Sequence, residues 1–436
     1  MLNKEYVDES EERILNDDYK NWKKNVSFLY DMVMTYALHW PSFTFEWLPS
    51  TIRNGTVVKS RLLLGSTTDS DRSHVLLADV YLPSEDDLDP DTPFGTFKSG
   101  LGKIELQKRI IHNNAITRAR HMPQKSQIIA TTSNNCINIY DTENRSYGIT
   151  DEEAEEFATI PDTFTKPLFK LNGFSSVNGI LSWNLTESGC LLGAGDNKSI
   201  GLWDLLGHGV SDSYQSVNGL FHGHTGTVTD VSWWSTLPTV FLSSSTDCTI
   251  GIWDIRSRNR SRASHSVHGH KMPVTSIAGS PFSQFVFASS SDDGTIGLWD
   301  IRNLSVKLHS LSANSESMSN IRWSPHVSNI LACSGASRAI YLWDIDVLHE
   351  RERLQNATVG DPPELLFVHG GHSAAITDFS WHPDVRNVIG STANDNIIQI
   401  WKPIESVVAS ICGAATGPSN QSVSNPTVAE PELLRQ

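Results

Sequence analysis

The sequence predicts an all-β fold built from a repeated unit, with one helix ahead of it. Three observations predict this. One phrase recurs: SIGLWD (199–204), TIGIWD (249–254), TIGLWD (295–300) and AIYLWD (339–344), with weaker copies CINIYD (136–141) and IIQIWK (397–402). A second phrase leads it: HGH at 222–224 and 268–270, GGH at 370–372. The two keep a fixed interval, since His224 to Trp253, His270 to Trp299 and His372 to Trp401 are each 29 residues. Asn314 to Trp343 and Phe174 to Trp203 repeat that interval, and His112 to Tyr140 is 28. Third, a turn residue stands six before each aromatic: Asn134, Asn197, Asp247, Asp293, Ser337 and Asp395. A fixed period marks units that bury their faces only by stacking on neighbours.

This pattern resembles the WD40 β-propeller family, whose four-stranded blades run to about 40–45 residues with GH and WD signatures. The resemblance implies seven blades. Six copies are visible, and the remaining blade reads from FTFEWL (43–48), RLLLGS (61–66), VLLADVYL (75–82) and KIELQKRI (103–110). No fourth strand follows Trp401, so the last blade needs one from elsewhere. YDMVMTYAL (30–38) is apolar enough to supply it and close the ring, which also removes a free sheet edge. In such blades the recurring polar residues tie strands together, and His224, Ser243, Asp247 and Trp253 form one such set. Buried polar groups need partners, so these residues read as structure.

Outside the blades, SEERILNDDYKNWKKNV (10–26) reads as an amphipathic helix. Leu15, Tyr19, Trp22 and Val26 share one face, and an acidic first turn follows Ser10. The expected organisation is a tail and helix over 1–29, the propeller over 30–402, a short helix over 403–412 and a disordered tail over 413–436. Polar insertions fall at 83–102, 142–166 and 345–366.

Composition bounds the function. Hydrophobic residues are 39% and charged residues 19%, enough apolar content for a large core. A net charge of −15 favours basic partners over specific DNA or anionic membrane. Five scattered cysteines, with no CxxC, fit neither a disulfide framework nor a cysteine zinc site. They suit a reducing compartment. With no signal core and no run of eighteen apolar residues, the expectation is a soluble intracellular protein.

The stretch 11–49, EERILNDDYKNWKKNVSFLYDMVMTYALHWPSFTFEWLP, together with RARHMPQKSQIIAT (118–131), WDIRSRN and SHSVHGH (within 253–270), LWDIRNLSVKLHSL (298–311) and PPELLFVHGGHSAAITDFSW (from 362), resembles the retinoblastoma-associated histone-binding WD40 family. Its members are chromatin proteins shared by histone deacetylase, chromatin assembly and polycomb complexes. The resemblance spans residues 11 to about 402 and implies two peptide sites. One is a side groove between the N-terminal helix and the PPELLF segment, which takes a basic amphipathic helix of histone H4 or of another complex member. Leu15, Phe28, Leu29, Asp361, Phe367, Val368 and Val407 would line it, with Phe28, Leu29, Phe367 and Val368 as the apolar floor. The family's loop carries an acidic run before its prolines. Here RERLQNATVGDPP (351–363) keeps Asp361, with Glu352 further back, which weakens the pull on Lys and Arg.

The second implied site is the top face, where acidic and aromatic residues of the family hold Arg and Lys of a histone H3 tail. The corresponding positions here are Ala115, Thr117, Val177, Gly179, Thr229, Thr275, Ser317, Ser319 and Ala375. None is a carboxylate or an aromatic, so tail binding in the family manner is not expected.

Other motifs carry less. In SHSVHGH (264–270), His265, His268 and His270 lack a fourth ligand, and His270 belongs to the repeat. GAGDNKS (193–199) lacks phosphate-loop spacing and reads as a turn. The loop holding Arg256, Arg258, Arg260 and Arg262 reads as solvated. No triad or metal-hydrolase motif stands out. The expectation is therefore a nuclear, non-catalytic protein without metal or cofactor, a scaffold within a histone deacetylase corepressor complex. The alternative is a histone H3–H4 chaperone within an assembly, acetyltransferase or centromere-loading complex.

Overall fold

Among the described residues, seven sheets built on antiparallel strands follow one another along the chain. The computed structural model describes residues 9–54, 57–68, 72–83, 102–133, 136–143, 147–148, 162–164, 167–174, 176–195, 198–205, 214–215, 217–312, 316–336, 338–346 and 362–404. The expected helix over 403–412 and tail over 413–436 therefore lie, from residue 405 onward, outside the described residues. Blade 1 comprises Ser42–Asn54, Val57–Ser66, Arg72–Pro83 and Lys103–Asn113. The innermost strands of blades 2 to 7 are Arg118–Met122, Val177–Trp183, Val228–Trp234, Val274–Gly279, Met318–Trp323 and Ile376–Trp381. The fold is a seven-bladed WD40 propeller with, among the described residues, one helix, Glu9–Leu29, at its N-terminal end.

Closure comes from the first strand of the chain. Tyr30–Ala37 pairs antiparallel with Ile397–Pro403, becoming the outer strand of blade 7. The joint between blades 7 and 1 is then sealed by packing. Ile398, Ile400 and Val388 join Phe45, Leu62 and Leu64 in one buried cluster. Gly390 sits so close to the Phe45 ring that a Cβ there would collide with it. The 142–166 insertion adds a detail the repeat could not reveal. Tyr147–Gly148 and Asp162–Phe164 extend blade 1 outward, the latter parallel to Lys103–Asn113.

Neighbouring blades are also tied around the axis. Thr229 donates from Oγ1 to the Val274 carbonyl at 2.5 Å, Thr275 to that of Met318 at 2.5 Å, and Thr377 to that of Ser42 at 2.7 Å. Each threonine also bonds a hydroxyl on its own second strand: Ser244, Ser290 or Thr392. Hydroxyls at these positions therefore satisfy carbonyls along the inner edge strands.

Within blade 4, Ser243 Oγ lies 2.7 Å from His224 Nε2 and accepts from Trp253 Nε1 at 2.8 Å. Asp247 accepts from the Thr225 and Gly226 amides and lies 3.4 Å from His224 Nδ1. Blades 5 and 7 repeat the set with His270, Ser289, Asp293, Trp299 and with His372, Ser391, Asp395, Trp401. In blade 5 the histidine is held neutral, because burial and the nearby Lys307 push His270 down to about 4.

His382 is similar. Its Nδ1 accepts from the Asp384 and Val385 amides, leaving Nε2–H for Ser60 Oγ at 2.7 Å. Burial lowers it to about 4, and His224 and His369 also shift downward through burial. His121 shifts the other way, because burial is outweighed by Glu46. Between pH 6.5 and 4 the unfolded chain thus binds more protons at His270 and His382, and stability falls as pH falls. At pH 5 each of these two sites should have lost about 2 kcal/mol relative to pH 7. Thermal unfolding at the two pH values checks this, and an unchanged midpoint would refute it.

Candidate functional site

The helix Glu9–Leu29 is bolted to the blade 7 edge by one buried relay. Trp22 Nε1 donates to Tyr30 Oη at 2.9 Å, and that hydroxyl lies 2.8 Å from His369 Nδ1. Both shifts hold the relay neutral: burial pushes the Tyr30 phenol up and the His369 imidazole well down. Tyr30 Oη accepts from Trp22 and therefore donates to His369. The His369 ring stacks on Trp401, 4.1 Å between centroids and 8° from parallel. Gly371 lies under this stack, where a Cβ would meet Trp22 at 2.7 Å. Past blade 7 the chain turns back to the helix, Ile404 N donating to the Leu29 carbonyl at 3.0 Å.

Two exposed apolar side chains flank the relay. Phe28, two residues before Tyr30, is 74% exposed. Val368, between Phe367 and His369 on the outer strand Leu365–His369 of blade 6, is 41% exposed. Leu29 is half-buried beside Trp22 and Val26 against the blade 6–7 core. One expectation needs correction. Phe367 does not form groove floor; it is buried, edge-on to Tyr30 at 5.2 Å and stacked with Trp401. Strand alternation explains this, since Phe367 and Val368 must point to opposite faces. Leu15 lies on the helix with its side chain outside the described residues, as are Asp361 and Val407.

At the top face, Thr117, Thr229 and Thr275 are half-buried and engaged. Thr117 Oγ1 lies 2.8 Å from Thr132 Oγ1, and Thr229 and Thr275 make the inter-blade ties already described. Gly179 has a φ of +62° and lies against Thr117, where a Cβ would come within 2.9 Å of Oγ1. Val177 is buried; Ala115, Ser317 and Ser319 are half-buried, and Ala375 is exposed. Carboxylates do stand nearby: Ser317 Oγ donates to Asp292 at 2.5 Å, and half-buried Glu316 precedes it.

Deeper along the same strands lies a charged cluster that the nine positions bypass. Asp378 of blade 7 takes Arg118 Nη1 at 3.0 Å and Arg120 Nη2 at 2.8 Å, both from blade 2. It also accepts from the Phe45 amide of blade 1 at 2.9 Å. Burial would raise this carboxyl, yet Arg120, Arg118, Arg322 and the Phe45 amide bring it to about 2. Asp230 accepts from Ser276 Oγ and the Ile277 amide of blade 5. Glu46 lies 3.0 Å from His121 Nδ1 and accepts from its amide. The sequence did carry a signal. RARHM (118–122), DVSWW (230–234) and NIRW (320–323) each place one or more charged residues within an inner strand.

Two of the four arginines of the basic loop are engaged. Arg256 pairs with Asp254, and Arg260 lies over the Phe221 ring at 5.3 Å. His265 and His268 lie exposed on an outer strand while His270 faces the blade interior.

Comparison with known families gives two matches. Residues 17–84, which hold most of the helix, the closing strand and three strands of blade 1, match the model for the histone-binding protein RBBP4 or the C subunit of the CAF1 complex. Residues 215–254, 261–300 and 363–402 match the WD domain, G-beta repeat. These matches support the RBBP4-type histone-binding WD40 family. RBBP4-type domains are characteristically non-catalytic platforms associated with chromatin.

Proposed function

We propose that this RBBP4-type protein is a non-catalytic scaffold of a nuclear histone deacetylase corepressor complex. It would dock a basic amphipathic helix, from another complex member or histone H4, between its own N-terminal helix and the outer strand of blade 6. The observation that carries the reading is the pair Phe28 and Val368, apolar yet exposed on two elements locked together by Tyr30. Helix-in-groove binding needs such exposed apolar contacts on rigid supports. A net charge of −15 adds attraction for a basic ligand. The engaged threonines of the top face support a role without H3-tail reading. The chaperone alternative draws on the family description, which includes a member of the CAF1 complex.

A titration tests the groove. An H4 first-helix peptide should bind, and Phe28→Asp combined with Val368→Asp should weaken it at least tenfold, about 1.4 kcal/mol. Both residues are exposed, so the fold should survive. Unchanged affinity would sink the groove assignment. Affinity purification then separates the two complexes: a co-purifying deacetylase supports the first, assembly or acetyltransferase proteins the second.

A further inference from the structure

One arginine of the inner strands has no carboxylate at ion-pair distance among the described residues. Arg322 is the fifth residue of the six-residue inner strand Met318–Trp323 of blade 6. It interacts electrostatically with Arg118 and Arg120 of blade 2, Asp230 of blade 4 and Asp378 of blade 7. Groups from blades on opposite sides of the ring meet only near the axis, so its guanidinium reaches into the channel. The residue as a whole is half-buried. Among the described residues its one hydrogen bond is from Nη1 to the Ile321 carbonyl, at 3.3 Å.

Among the described residues, the carboxylates around Arg322 hold other partners, though Asp378 Oδ1 accepts no hydrogen bond. Asp378 holds Arg118, Arg120 and the Phe45 amide. Asp230 holds Ser276 Oγ and the amides of Ile277 and Val231. Glu46 holds His121. No carboxylate lies within ion-pair distance of Arg322 among the described residues. A guanidinium offers five N–H donors in a planar fork that suits oxyanions, so most of its capacity is unspent. The imbalance shows in its acidity as well. Burial and repulsion from Arg120 and Arg118 lower Arg322, and Asp230 and Asp378 do not make up the difference. Among the described residues, an acidic protein thus holds near its axis a cation without an ion-pair partner.

We propose that the channel binds a small oxyanion, a phosphate or carboxylate group, on the guanidinium of Arg322 with Arg118 and Arg120 behind it. Arg322 gives a bidentate fork, and the two flanking arginines add field while staying paired to Asp378. Arg322 lies toward the mouth away from Glu316 and Asp292, so approach from that side avoids both acids. The anion would join a ring that otherwise closes through hydrogen bonds between strands, and would link blade 6 to blade 2 across it. Binding to the folded state alone then stabilises the propeller.

The test uses the full chain and inorganic phosphate as the probe, with ionic strength held constant by chloride. Phosphate should raise the unfolding temperature of the wild type and bind measurably in calorimetry. Arg322→Gln should weaken that binding at least tenfold. Arg322→Lys keeps the charge but loses the fork and should fall between. Two further arms distinguish sources: a phosphoserine peptide binding more tightly than free phosphate points to a modified chain, and a glutamate peptide binding more tightly than both points to an acidic one. Wild type that responds to no probe overturns the proposal. So does an equal response in whichever of the two variants folds.

Discussion

Replacing Asp378 with alanine should cost about 3–5 kcal/mol, the range for removing one partner of a buried charge pair. The carboxylate accepts hydrogen bonds from Arg120 and the Phe45 amide, forms an ion pair with Arg118, and joins blades 7, 2 and 1. Its loss leaves Arg118 and Arg120 facing each other with Arg322 close by, and strips the Phe45 amide at the ring closure. For a chain of 436 residues that energy translates to a fall of about 3–5 °C in the unfolding midpoint, because the unfolding entropy is large. Adding Arg120→Met to Asp378→Ala should recover part of the loss, since the stranded charge leaves with its side chain. Denaturant unfolding of the single and double variants measures both effects. A loss under about 1 kcal/mol in the single variant would mean the cluster is solvated like a surface pair.

Tyr30→Ala should be comparably severe, at about 3–5 kcal/mol for deleting a buried aromatic side chain. The ring sits edge-on to Phe367, Trp401 and Trp22, so its loss opens a cavity among large aromatic side chains. Tyr30→Phe separates packing from the relay. It keeps the ring but leaves Trp22 Nε1 and His369 Nδ1 without their shared partner, at about 1–3 kcal/mol. The expected signature is local: faster amide exchange over Glu9–Leu29, with blades 3 to 5 unchanged. Uniform loss of protection would show that the helix is integral to the ring, and an unaltered helix would show that Trp22 holds without the hydroxyl. If the side groove takes a partner helix, Tyr30→Phe should also weaken that partner while Phe28 and Val368 are intact.

Much of this protein was legible in one dimension. The 29-residue interval between GH and WD positions the strands, because each blade must repeat the same pairing to stack on the next. The apolar run 30–38 identified the closing strand, since an open blade leaves an edge that another strand must cover. The tetrad of His224, Ser243, Asp247 and Trp253 could be read from spacing and family resemblance together. In each case a local rule, repeated, was sufficient.

Other features depended on residues far apart in sequence. Phe367 and Val368 are adjacent and both apolar, yet one is core and the other surface, and only the facing of the blade 6 strand decides which. Tyr30 and His369 are separated by 339 positions and meet because the ring closes. Arg118, Arg120, Asp230, Arg322 and Asp378 come from four different blades, so their cluster exists only around a shared axis. Periodicity fixes what every blade does alike. Where the blades differ, at the axis and at the closure, the energetics come from desolvation and from charges brought together across the ring, and these are set by the tertiary structure alone.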